Sequence, residues 1–123
     1  MANPHFVLLY VASPEGSVDF YRVLLEREPV EASPTFAMFA LGPALMLGLW
    51  SRDGVRPEPG AEIGGGELAF SLAAPRDVDG ACERWRALGV RILQEPVDLD
   101  FGRTFVGLDP DGHRLRVFSP SGE

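Results

Sequence analysis

The sequence predicts an α+β domain made of two βαβββ modules, with helices outside and a concave sheet surface inside. Three observations point to it. Apolar runs of strand length, punctuated by Pro and Gly, appear with one helical stretch in the order β-α-β-β-β, and that order then recurs. The halves share local text: "ASPEGSVDFY" and "AAPRDVDGAC" each run from a strand through proline to Val-Asp and a helix. The repeat spacing is about 60 residues, as a duplicated module would give. Each module alone would leave one face of its sheet exposed, and two side by side give the layered arrangement. The expected organisation is one domain over 1–123, with modules at about 5–51 and 67–119 and a linker at 52–66.

In the first module, "FVLLYVA" (6–12) is almost continuously apolar and too short for a stable helix, so it reads as a strand covered on both faces. "SPEGSVDFYRVLLERE" follows as a helix. Ser13 can cap it, Pro14 suits its first position, and Val18, Tyr21, Leu24 and Leu25 recur at helical spacing. Pro29 blocks its continuation. "VEAS" (30–33), "TFAMFAL" (35–41) and "ALMLGLWS" (44–51) are three strands separated by Pro34 and Gly42-Pro43. "RDGVRPEPGAEIGGG" (52–66) is too rich in Pro and Gly for a ladder and reads as the linker.

The second module opens with strand "ELAFSLAA" (67–74). "PRDVDGACERWRALG" (75–89) is a helix with Val78, Cys82, Trp85 and Leu88 in one stripe and Gly89 as a stop. "VRIL" (90–93) is a strand, "QEPVDLDFG" (94–102) a loop, and "RTFVGL" (103–108) a strand. Asp109-Pro110-Asp111-Gly112 has the residues of a tight turn, and His113 beside it is expected in solvent. "RLRVFS" (114–119) is the last strand.

Net charge is −7 over 123 residues, with no Lys/Arg run, which argues against nucleic-acid binding. At 46% hydrophobic and 24% charged, the composition suits a globular domain with a real core. No apolar run approaches the roughly 18 residues of a membrane span. A single cysteine, Cys82, excludes an internal disulfide; with no signal peptide in view, a cytoplasmic location is expected. Cys82 itself reads as a packing residue. No phosphate loop, nucleophile elbow or Ser-His-Asp set is apparent.

Strand alternation sorts the remaining candidates. Leu45, Leu47 and Leu49 share a core face, leaving Met46, Gly48 and Trp50 as a pocket wall. Gly48 leaves space above the sheet. Phe36 and Met38 share a face, and Phe101, beside Gly102, is placed to close over an opening. Core packing is the competing reading for these residues; Trp85, on the helix stripe, is read as core. Leu68, Phe70, Leu115 and Val117 fall on one side of their strands, and Glu67, Ala69, Ser71 and Arg116 on the other.

The duplicated order, with "SVDFY" opening the first helix and "DPDGH" in the last hairpin, resembles the glyoxalase / bleomycin-resistance / extradiol-dioxygenase (vicinal oxygen chelate) superfamily over essentially the whole chain. "VDFYRVLLEREPV", "LWS" and "FGRTFVGLDPDGHRLRV" are most similar to its phenazine-resistance type, which binds a drug without transforming it. The resemblance implies a half-barrel. It also implies four metal-ligand positions, which carry over to Phe6, Gly48 (or Leu47), Glu67 and Arg116. Of these only Glu67 offers a metal a donor. No metal and no cofactor is therefore expected, and Glu67 and Arg116 are expected to pair in the vacated positions. That pair would either be purely structural or also face a ligand.

The resulting expectation is metal-independent sequestration of a planar aromatic small molecule, a phenazine-type antibiotic, by a homodimer. Its site would draw on Trp50, Met46, Gly48, Glu67, Arg116, Phe36, Met38, Phe101 and Phe6, with no catalytic residue. The alternatives are a divergent metal-dependent lyase or dioxygenase, a metal-free enzyme using Glu67 as a base, and a module that only dimerises.

Overall fold

A computed structural model of the chain describes residues 5–60 and 64–120. These fall into two compact units, divided between Gly64 and Gly65, each a four-stranded sheet with one helix.

The first unit runs β1 (Phe6–Val11), α1 (Pro14–Leu25), β2 (Glu31–Ala32), β3 (Phe36–Gly42) and β4 (Leu45–Ser51), with sheet order β1-β4-β3-β2. β1 is parallel to β4, and the other pairs are antiparallel. Helix α1 starts where expected. The Gly16 N–H donates to Ser13 Oγ at 3.1 Å, and Pro14 occupies the first turn, where a missing N–H costs nothing. It ends at Leu25 because Glu26 turns left-handed (φ 56°), three residues before Pro29. Val18, Tyr21 and Leu24 on the helix and Ala37, Phe39, Leu47 and Leu49 on the sheet are buried, and the Tyr21 ring meets Phe39 at 6.4 Å. Phe6 and Leu8 remain 39% and 44% exposed, so β1 is covered on one face where cover on both was expected. Alternation accounts for this: Leu9 and Val11 point to the helix, while Phe6 and Leu8 point away.

The second unit repeats the plan as β5 (Glu67–Ser71), α2 (Pro75–Ala87), β6 (Arg91–Leu99), β7 (Gly102–Leu108) and β8 (Arg114–Pro120), in order β5-β8-β7-β6. Trp85 anchors α2, meeting Phe70 and Phe105 edge-to-face at 5.7 and 5.1 Å. Cys82 is fully buried beside it, and burial pushes its thiol pKa up, so it is an unreactive packing group. Gly89, at φ 90°, ends the helix as read from the sequence.

Further expectations change. Leu45, placed with Leu47 and Leu49 on a core face, opens β4 and is 37% exposed; Leu88, placed on the helix stripe, caps the end of α2 and is 47% exposed. Residues 94–99 are not loop: β6 continues to Leu99, with register shifts between Ile92 and Gln94 and between Gln94 and Val97. Pro96 is tolerated there because β6 is an edge strand and the ladder is already broken. His113 is buried, 3% exposed, its Nδ1 lying 2.8 Å from Asp109 Oδ2. The linker holds a short 3-10 turn, Arg52–Gly54; its residues 61–63 lie outside the described residues. Among the described residues, no helix is long and apolar enough to cross a membrane.

Candidate ligand-binding site

The open face of the first sheet is built by rows of side chains running across the strands. Glu31 lies opposite Met38, Met38 opposite Gly48, and Gly48 opposite Leu8. In the next row Phe36, Trp50 and Tyr10 are aligned. In the row beyond Gly48 on the other side lie Ala40, Met46 and Phe6. Phe6, Leu8, Glu31, Phe36 and Trp50 line a groove of about 520 Å³ on this face. Trp50 is half-buried and braced edge-to-face by Tyr10 (6.4 Å, 82°) and Phe36 (6.5 Å, 84°), so its indole is fixed without being covered. Met38 and Met46 share the face and are half-buried but do not line the groove.

Gly48 differs from its expected role. A Cβ there would stand 2.6 Å from Leu8 Cδ2 and 3.1 Å from Phe36 Cζ. The space above this glycine is thus filled by the unit's own side chains, which form the groove's floor. Leu8 and Glu31 escaped notice in the sequence. Leu8 was legible as the residue two beyond Phe6 on the same strand. Glu31 was not, because β2 has only two residues and shows no alternation.

On the open face of the second sheet, Arg116 and Glu67 form a two-pronged pair. Nε donates to Oε1 at 3.0 Å and Nη2 to Oε2 at 3.1 Å. Ala69 is the residue directly opposite Arg116, so Glu67 reaches it along the diagonal from beside Arg114. Arg116 Nη1 also donates to Thr104 Oγ1 at 3.3 Å, and the buried Thr104 hydroxyl donates onward to the Val117 carbonyl at 2.9 Å. The guanidinium carbon stands 5.8 Å from the Phe101 ring centroid, and Phe101 meets Phe118 edge-to-face at 6.0 Å. Phe101 is therefore ordered in the turn after β6 by a cation and a ring. Thr104 and Phe118 were not anticipated; each lies on a strand face whose partner is known only once the β7–β8 register is known.

The hydrogen bonds from Arg116 hold the Glu67 carboxyl below its ordinary pKa, against an opposing push from burial. A lowered carboxyl pKa contributes stability that is fully present above the ordinary carboxylate range and is lost as pH falls through the lowered value. The side chains are 20% and 37% exposed, so the contribution lies between that of a surface pair and a buried one. Glu67→Gln is therefore expected to destabilise the protein at pH 7. The gap from wild type should close as pH drops below about 4, as followed by urea unfolding at each pH. A gap that widens on acidification would contradict the pairing.

The metal positions implied by resemblance do not provide a donor set. Phe6 has no donor atom. Gly48 is roofed by Leu8 and Phe36, and Leu47 is buried on the opposite face. Glu67 is engaged with Arg116, itself a permanent cation. His5 is exposed with its ring against Phe6 at 5.3 Å, and His113 is bonded to Asp109. Among the described residues no group of three or more His, Cys, Asp or Glu side chains is arranged to hold a metal ion.

A family model described as the Glyoxalase/Bleomycin resistance protein/Dioxygenase superfamily matches residues 3–117. The phenazine antibiotic resistance protein EhpR of Enterobacter agglomerans is 36% identical over 119 residues, covering 94% of this chain and 90% of that one. A protein of Agrobacterium tumefaciens solved by solution NMR is 48% identical with a TM-score of 0.89, over 99% of this chain and 100% of its own. A crystal structure of a glyoxalase/bleomycin resistance protein/dioxygenase from Nocardioides superposes with a TM-score of 0.82 at 28% identity, over 100% of this chain and 91% of its own.

Proposed function

This chain belongs to the glyoxalase/bleomycin resistance protein/dioxygenase superfamily, and on that premise we propose that it binds and sequesters a planar aromatic small molecule of the phenazine type without converting it. The observation that carries the reading is the groove in the first unit: an apolar trough with a half-buried indole held between two perpendicular rings. A flat heteroaromatic ring buries apolar area there and stacks on a surface that needs no reordering, which is how a site gains affinity without a catalytic group. Similarity to a phenazine antibiotic resistance protein supports the ligand class. The state proposed is a cytoplasmic homodimer, free of metal and of nucleic acid. In the second unit, Glu67 and Arg116 satisfy each other at two of the positions that the family resemblance assigns to metal ligands.

Tryptophan fluorescence tests this directly. Of the two tryptophans, Trp85 is in the core and Trp50 in the groove, so titration with phenazine is expected to quench the Trp50 component. Mass spectrometry of the incubated mixture should return the ligand unchanged, and metal analysis of protein purified without chelator should give far less than one ion per chain. A new product, or a stoichiometric transition metal, would replace this reading with an enzymatic one.

A further inference from the structure

We infer that the groove prefers aromatic cations and that Glu31 is the residue that reads the charge. The inference rests on the ligand-binding reading above and specifies the chemistry of its ligand. Among the described residues five line the groove; four are apolar and the fifth is Glu31, so these residues present a carboxylate and no cation. Among the described residues Glu31 makes no side-chain hydrogen bond or ion pair, so its carboxylate is uncommitted. The two arginines that precede Glu31 most closely in sequence are bonded elsewhere: Arg22 with Asp19 and Glu28, and Arg27 with the carbonyls of Leu25 and Ala40.

The placement of Glu31 suits recognition. It heads the row that runs through Met38 and Gly48 to Leu8, one row from Phe36 and Trp50. A flat cation lying on the aromatic row meets negative ring faces below and a carboxylate at one edge. An anion meets the reverse. Arg116, the one cation among the residues expected to line a site, is already bonded to Glu67 through Nε and Nη2 and to Thr104 through Nη1. A net charge of −7 further favours the approach of cations.

The test uses one ring system in three charge states: phenazine, 5-methylphenazinium and phenazine-1-carboxylate, titrated by calorimetry in the dark and by Trp50 quenching. The phenazinium is expected to bind about tenfold tighter than phenazine, the sum of a modest ion pair and a cation–π contact, and the carboxylate weakest. Glu31→Gln should bring the ratio of cation to neutral affinity towards the ring contribution alone, roughly threefold or less. Glu31→Lys should reverse the order of the two charged probes. Glu31 is exposed on an edge strand, so both variants are expected to fold. Equal affinities in the wild type, or a preference that survives both substitutions, would overturn the inference while leaving ring binding intact. If neither phenazine nor its charged forms bind, or if binding ignores Trp50→Ala, the ligand-binding reading itself has failed and the charge preference falls with it.

Discussion

Replacing Asp109 by alanine is expected to lower the unfolding free energy by about 3 kcal/mol or more, among the largest losses any single side chain here would cause. Asp109 is 2% exposed and organises the hairpin between β7 and β8. Its Oδ1 accepts the N–H groups of Asp111 at 2.9 Å and His113 at 2.8 Å, and its Oδ2 meets the His113 ring at 2.8 Å. Truncation leaves a buried N–H and a buried imidazole nitrogen without this partner, each costing about 1–3 kcal/mol of desolvation. The backbone alone does not compensate. Its bonds from the Gly112 N–H to the Asp109 carbonyl and from the Asp109 N–H to the His113 carbonyl, both at 3.0 Å, close the turn but do not replace the contacts to the His113 N–H and ring. Urea unfolding at pH 7 measures the effect, with a drop in melting temperature on the order of 10 °C. Asp109→Asn, which keeps the shape and one acceptor, should recover part of the loss. Combining Asp109→Ala with His113→Ala should cost clearly less than the sum, since the second change removes the orphaned ring. A loss below about 1 kcal/mol for Asp109→Ala would show that the hairpin does not depend on this contact.

Trp50→Ala is expected to weaken binding of a neutral planar ring by roughly 30-fold, about 2 kcal/mol. The indole contributes a stacking surface and apolar area at once, and both disappear on truncation. Its removal also takes a perpendicular neighbour from Tyr10 and Phe36, so the remaining rings are free to reorient and the groove loses shape as well as area. Trp50→Phe keeps a flat face and should hold most of the affinity. The measurement is isothermal titration of phenazine well below the melting temperature of each variant, so that lost stability is not read as lost affinity. Trp85→Phe is the companion control: it lies in the α2 core against Phe70 and Phe105 and should alter stability but not binding. If Trp50→Ala binds within twofold of wild type, the groove is not where the ring sits.

Much of this architecture was legible because its signals are local. Ser13 with Pro14 starts one helix, and Gly89 ends the other. Alternation on β4 separates buried Leu47 and Leu49 from Trp50, and on β8 it separates buried Leu115 and Val117 from Arg116. The expectations that changed share a cause: a local signal was overridden by a partner that the residue pattern does not reveal. Pro96 and the polar residues around it read as loop, yet they form an edge strand, because pairing with β7 through a broken register asks no N–H of the proline. His113 read as solvated because turns are usually exposed, yet a carboxyl four residues earlier gives its ring a partner that makes burial affordable. Gly48 read as an opening, yet Leu8 on the parallel neighbour closes over it.

By itself the sequence determined which residues share a face. The period of a strand and the pitch of a helix are properties of the backbone and need no partner to operate. It therefore placed Met46 and Trp50 on the face away from the leucine core, and Glu67 and Arg116 away from the Leu115–Val117 side, before any contact was known. The pairing of Glu67 with Arg116, which the family resemblance implied, is borne out; only the tertiary structure decided what else stands opposite these residues: Leu8 over Gly48, Thr104 behind Arg116, and Glu31 at the head of the apolar row. Those meetings depend on strand register. A slip of one residue would turn each strand over, and register is set by the fit of whole faces between segments far apart in the chain, not by any short stretch of it.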